Sequence, residues 1–292
     1  MGRIVTIDRR AELGEFLRSR RGRLNPAELG LPDYGGRRRV PGLRREELAL
    51  LAGVSVDHYV RLEQGRTLQF SEEVLDAVAR ALRLDATERE HLYRLARPYQ
   101  GSADQGPGQG GLEAQRVRPG LQRLLDAAGD VPAYVVGLGT DVLGWNQLAA
   151  ALLTDFGALA PRERNLARLV CHDEGFRALF ARPEMKMADI AAYLRLDVGR
   201  YPSDPSLGAL VEELCGNPDF AEVWARHDVR DKTHGGYMYR NPVVGEIWLE
   251  YETFRAPDDP DQALVMHTAP AGSSSEASLQ LLAGWARTVR VG

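Results

Sequence analysis

Ser55, Val56, Asp57, His58 and Arg61 fall on one side of a short helical segment, while Tyr59 and Leu62 fall on the other. A guanidinium fork among short polar and apolar neighbours suits the base edges of a DNA major groove. Arg37, Arg38 and Arg39, with Arg66 just past the segment, are cations of the kind that hold phosphates. Such contacts give salt-dependent affinity rather than sequence choice. The rear of the chain carries a different chemistry. It holds all four tryptophans, Trp145, Trp224, Trp248 and Trp285. Together with Tyr134, Phe180, Tyr193 and Tyr239 these rings could line an apolar pocket, and Asn146, Arg164, Asn165 and Arg195 are the candidate donors for a polar head group. A well-filled core is the alternative for any single ring.

Catalytic chemistry finds little support. His172-Asp173 and His227-Asp228 are neighbours in sequence, which does not make a dyad. There is no GxSxG elbow, HExxH pair or phosphate loop. Gly137 and Gly139 lack a third glycine at dinucleotide spacing, and Ser273 to Ser275 read as a loop and helix cap. Cys171 and Cys215 have neither metal nor redox spacing. No catalytic residue, metal ligand or cofactor is expected.

The elements that must position the front residues are five helices. Residues 9–21 carry an apolar stripe at Leu13, Phe16 and Leu17. Residues 44–52 and 56–64 flank a turn at Gly53-Val54-Ser55, with Ser55 as cap and Gly65 as stop. Residues 71–82 and 87–96 follow, the last opening on a Thr87/Glu90 capping pattern with His91 at a surface or interface. Gly, Gln, Pro and Ser then dominate residues 97–115, a flexible linker that would span roughly 25 Å as a coil. Beyond it come a helix over 119–128 and two strands around a turn at Gly139-Thr140-Asp141. Helices follow through 146–156, 162–180, 187–198, 205–215 and 218–227, then strands over 234–240, 243–254 and 263–268 and a closing helix over 274–289. That order predicts an α+β domain, a five-stranded sheet with helices over one face.

At 292 residues the chain has room for two domains. Its net charge of −4 hides an asymmetry of +4 up to Tyr99 and −8 beyond. A basic front suggests nucleic acid and an acidic rear suggests something else. Only Lys186 and Lys232 interrupt an otherwise all-arginine set of cations. A GC-rich genome would produce the same bias, so it carries little weight. No apolar run approaches the roughly 20 residues of a membrane span, and the first residues lack a signal peptide's apolar segment. The expected location is cytoplasmic.

Leu48-Ala49, Gly53-Val54-Ser55, Tyr59, Leu62-Glu63 and Gly65 resemble the repressor-like, XRE-type helix-turn-helix family over about residues 9–96. The resemblance implies that Arg21 pairs with Glu63 and locks the first helix to the recognition helix. Residues 118–137, 141–146, 164–170, 218–229 and 241–253 are similar to the ligand-binding domain of the MmyB-like regulators. This implies a PAS-like pocket domain for fatty-acid-like or other lipidic ligands. One departure is Asn241-Pro242, where members often have His-Pro.

The expected organisation is therefore a helix-turn-helix domain (1–97), a linker (98–117) and a PAS-like α+β domain with an antiparallel five-stranded sheet (118–292). The expected function is a transcriptional regulator that binds a double-stranded DNA operator as a homodimer and responds to a small apolar ligand such as a fatty acid. A ligand-free protein-interaction module in the rear, or an enzyme with a DNA-binding head, are the alternatives.

Overall fold

The computed structural model describes residues 7–31, 42–66, 70–97, 115–256 and 259–289. Arg37, Arg38, Arg39 and nearly all of the expected linker lie outside the described residues. The chain divides into two units, and the division is not a single cut near residue 97. The front unit comprises 1–106 with 195–209 and 225–230, and the rear unit comprises 107–194, 210–224 and 231–292.

The front unit is helical: α1 (Arg9–Arg23), α2 (Arg45–Ala52), α3 (Val56–Glu63), α4 (Glu72–Ala81) and α5 (Ala86–Ala96). Each start has a local cause. Asp8 accepts from the amides of Arg10 and Ala11, Ser55 from that of His58 and Ser71 from that of Val74. Gly53 ends α2 at φ +67°, which an L side chain would resist. Gly14 serves close approach, because a Cβ there would lie 2.5 Å from the Glu63 carbonyl oxygen. α1 can thus touch the end of α3. Phe16, Leu17, Leu48, Tyr59, Leu62 and Leu92 fill the core, each apolar side chain contributing on the order of 1.5–3 kcal/mol.

Two expectations fail here. The cap of α5 is the reciprocal Asp85/Glu88 box, two residues earlier than Thr87/Glu90, because Asp accepts at that site and starts the helix at Ala86. His91 is not at a surface: it is fully buried edge-on against Phe16, with a ring centroid separation of 5.0 Å.

The rear unit is built on five antiparallel strands in the order β2-β1-β5-β4-β3. They are β1 (Ala133–Val136), β2 (Val142–Trp145), β3 (His234–Asn241), β4 (Gly245–Ala256) and β5 (Asp259–Thr268). Helices α6 (Pro119–Ala127), α7 (Gln147–Leu152), α8 (Leu166–His172), α9 (Glu174–Ala178), α12 (Pro218–Trp224) and α13 (Ser274–Val289) belong to this unit. So do the first twelve residues of α10 (Pro183–Arg200) and the last five of α11 (Pro205–Leu214).

The helices do not all cover one face. α6 packs Leu125 against Ala133, Val135 and Leu264, on the face opposite Tyr134 and Val265. All four residues of β1 are buried, the continuous apolar run expected of a strand covered on both sides. No described helix is long and apolar enough to cross a membrane.

Candidate functional site

In the front unit, Ser55, Val56, Asp57, His58 and Arg61 are all exposed on α3, while Tyr59 and Leu62 point inward. Arg61 Nε lies 2.9 Å from Asp57 Oδ2, one turn away. The pair is exposed, so it orients the guanidinium without withdrawing it from solvent. His58 tilts against Phe70 at 5.3 Å, and Arg66 is exposed just past Gly65. The result is a short capped helix with a free polar face.

The helix is held from behind by buried charge. Glu63, only 1% exposed, accepts from Arg21 Nε at 2.9 Å, from Arg21 Nη2 at 3.1 Å and from Arg45 Nε at 2.8 Å. Arg21 also donates to the Leu43 carbonyl at 2.6 Å. Burial pushes the Glu63 carboxyl up, but the arginines override it and hold it below the usual carboxylate range. The ion pair implied by the family resemblance is thus present, with a second arginine added.

A further group lies on the other side of α1. Glu12 binds Arg195, and His227 Nδ1 is 3.4 Å from Glu12 and 3.0 Å from Arg195. Burial again acts upward on Glu12, and His227 and Arg195 bring it down to about 2. Arg20 reaches Glu88 at 2.6 Å and the His227 carbonyl at 2.8 Å.

In the rear unit, strand register brings the rings together. Gly235 pairs with Tyr251, Tyr251 with His267, and Tyr134 with Val265. Paired antiparallel residues share a face, so Tyr134, Tyr237, Tyr239, Tyr251 and His267 all project to the same side. Gly235 leaves space for one of them: a Cβ would meet the Tyr251 hydroxyl at 2.7 Å. α10 adds Lys186, Asp189 and Tyr193, and Lys232 precedes β3; all four are buried.

Lys232 Nζ donates to the Tyr134 hydroxyl at 2.9 Å and stands 5.1, 5.5 and 6.0 Å from the ring centroids of Tyr134, Tyr251 and Tyr193. Lys186 Nζ sits 4.5 Å from the Tyr237 centroid and 5.2 Å from that of Phe180. The Tyr237 hydroxyl donates to Asp189 at 2.7 Å, and the hydroxyls of Tyr193 and Tyr251 are 3.0 Å apart. His267 stacks on Tyr134 at 5.8 Å, and neither of its buried ring nitrogens has a partner.

The electrostatics of this cage are one-sided. Burial lowers the Lys186 ammonium to about 8, with Asp189 acting against it. Burial, then Lys186 and Arg255, takes Lys232 well below its ordinary value. Burial and both lysines keep His267 neutral. The arrangement sets two buried lysines, one carboxylate and a neutral imidazole among aromatic walls.

The cage gathers Tyr134, Phe180, Tyr193 and Tyr239 from among the candidate pocket residues. The nominated donors lie elsewhere. Asn146 caps α7, accepting from the amides of Ala133 and Ala149 and donating to the Val131 carbonyl. Asn165 uses its whole amide on Thr140, Arg168, Gly139 and Asp141. Arg164 donates to the Leu159 carbonyl and lies 5.3 Å over Trp145. Arg195 belongs to the front unit. Trp224 stacks on Phe220, and Trp248 is half-exposed on the opposite sheet face. Asn241, the departure from the family pattern, is buried and locks the β3–β4 turn through the amides of Val243 and Val244.

Sequence reasoning missed Lys186, Asp189, Lys232, Tyr237, Tyr251 and His267. One signal was available, since Lys186 and Lys232 are the only lysines in the chain. An open groove of about 460 Å³ near Leu159 and His172 is less suited to a ligand, because its cations Arg162 and Arg168 already bind Glu213. Burial pushes the Cys171 thiol up to about 12, which leaves it a poor nucleophile. No cluster among the described residues could hold a metal ion.

Residues 117–282 match the family model of the MmyB-like transcription regulator ligand binding domain, and residues 12–92 match that of a helix-turn-helix domain. No curated protein matches the chain.

Proposed function

The chain belongs to the MmyB-like transcription regulators, and on that premise we propose that it binds a palindromic operator as a homodimer and alters its grip when the rear unit takes up a fatty acid or similar lipid. A helix-turn-helix joined to a ligand-binding domain makes it a ligand-modulated, DNA-binding transcription regulator. The operator reading gives Val56, Asp57, His58 and Arg61 to base edges and Arg66 and Arg37 to Arg39 to phosphates, with Ser55 on the same DNA-facing side. Recognition helices of this type read paired half-sites about 34 Å apart, which favours a two-fold dimer.

The observation that carries the ligand reading is the buried ring-lined cage with its two lysines and unpartnered His267. The strand order 2-1-5-4-3 supports a PAS-like description of the unit around it. Ligand and operator must then affect each other's affinity by the same factor. A protein-interaction module is the second reading, favoured by Met238, Trp248 and Phe254, which are exposed on the outer sheet face.

Mass spectrometry of the organic extract of purified, denatured protein tests the first reading. A stoichiometric lipid is expected, and adding that lipid should shift the operator titration. An empty extract together with an operator affinity indifferent to added fatty acids would overturn it in favour of the second.

A further inference from the structure

We propose that the exposed stripe of α13 is the two-fold contact between two copies of the chain. The inference rests on the homodimer reading above and adds the surface that makes the dimer.

The first argument is spacing. α13 turns Leu279, Leu282, Ala283 and Ala286 into its own unit. A surface helix that buries one stripe ordinarily carries polar and charged residues on the other side. Here the other side carries Leu281, 69% exposed, and Trp285, 42% exposed, one turn apart. Ser274, Leu281 and Thr288 stand seven residues apart, and Ala277 and Gly284 repeat the interval. Seven is the period of a seam between two helices, and small residues along it let the axes approach.

The second argument is that the stripe complements itself. In an antiparallel pair with its two-fold axis at Leu281, that residue meets its own copy, as any residue on such an axis must. Trp285 then falls opposite Ala277, a large ring against a methyl group, and Gly284 falls opposite Ser278. Gly284 has no other evident use. A Cβ there would meet nothing within 4 Å beyond its own helix backbone, yet a mid-helix glycine weakens the helix.

The third argument is charge, which selects this surface over the other exposed apolar one. On the outer sheet face Glu246, Glu250 and Glu252 alternate with Trp248 and Phe254, so two copies meeting there would bring carboxylates together. The α13 stripe has no charged residue. The charges beside it are engaged in their own chain, Glu276 with the Gly272 amide and Arg287 with Asp130. The chain beyond Tyr99 carries a net −8, and a neutral line is where two such halves approach without repulsion. A single helix pair is a small contact beside the roughly 1,000 Å² of a stable interface, so the free dimer should be weak and concentration-dependent.

Sedimentation equilibrium of the full chain over a range of concentrations tests the proposal. Leu281→Glu sets like charges face to face on the axis and should weaken self-association about 10-fold or more. Gly284→Leu should do the same while the melting temperature holds or rises, because the single chain has room for the side chain and the helix gains propensity. Leu281→Cys should give a covalent dimer with oxidised glutathione, whereas Trp248→Cys and the unaltered chain should not.

A dimer indifferent to Leu281→Glu and Gly284→Leu, or one cross-linked only through Trp248→Cys, would overturn the α13 contact and leave the homodimer reading in place. A chain monomeric at every concentration would overturn both.

Discussion

The two units treat buried charge in opposite ways. In the front unit each buried arginine has an anion: Arg21 meets Glu63, which the half-exposed Arg45 also reaches, Arg195 meets Glu12, and Arg20 meets Glu88. In the rear unit two buried lysines face aromatic rings and have one buried carboxylate, Asp189, near them. A paired interior charge fixes one arrangement of helices. An unpaired one stores a demand that a visiting molecule can meet. The contrast separates a part of the protein that must hold its shape from a part that must respond.

The sharpest way to break the contrast is to remove one charge from each interior. Glu63→Ala strands Arg21 without a counter-charge and should destabilise the front unit by ~3–5 kcal/mol, read by chemical denaturation. Lys232→Met should cost the rear unit far less, since the ammonium it removes is hydrogen-bonded to the uncharged Tyr134 hydroxyl rather than to a carboxylate. Equal losses from both substitutions would show that the lysines are structural after all.

Acid sharpens the comparison next. Burial lowers His91 to about 3 against an ordinary 6.5, so the fold keeps it neutral. Below pH 6.5 the unfolded chain takes up a proton that the folded chain refuses, and stability falls as pH falls. At ~1.4 kcal/mol per pH unit, the front unit should lose about 3 kcal/mol between pH 6.5 and 4.5 from this group. His91→Leu should flatten that limb in denaturation curves taken across the window. Glu12, held at about 2, adds its own loss only below pH 4.5, so the two are separable.

Asp141 in the rear unit has the reverse sign. Burial raises it to about 6, with Asn165 and Arg168 acting against the rise. The unfolded chain loses its proton near pH 3.8 and the folded chain near 6, so stability falls as pH rises through that interval. Asp141→Asn should therefore stabilise the rear unit by ~2–3 kcal/mol at pH 7 and by nothing below pH 3.8. A melting temperature unchanged at pH 7 would contradict the assignment.

The smallest structural effect is expected on α3. Arg61→Ala removes only an exposed one-turn pair, so stability should change by about 0.5 kcal/mol or less. Operator discrimination should nevertheless drop by ~1–3 kcal/mol in competition binding against scrambled DNA. Intact preference would move base reading off this helix.

The front unit was legible because its signals are short-range. Gly53, Ser55 and the stripe of Leu13, Phe16 and Leu17 each fix geometry within a few residues. The Asp85 cap was misread by two positions because two overlapping capping patterns stand side by side. The cage was less legible because its residues come from β1, β3, β4, β5 and α10, and only strand register brings them together. Asn146, Asn165 and Arg164 looked like ligand donors because they are polar amid apolar segments. Their polarity instead serves the backbone, capping helices and closing turns. His91 followed the same logic in reverse, since nothing in its helix spacing reveals that Gly199 approaches its ring closely enough that a Cβ would lie 2.5 Å away.

The seclusion of the two lysines also shapes how the protein meets reagents and modifying enzymes. With both side chains no more than 5% exposed, its outer surface offers no lysine amine to an acylating label, an acetyl donor or an amine crosslinker. Acylation of Lys186 or Lys232 must wait for the sheet unit to open locally. The rate of that reaction is a clock for the opening, and any occupant of the cage will slow it.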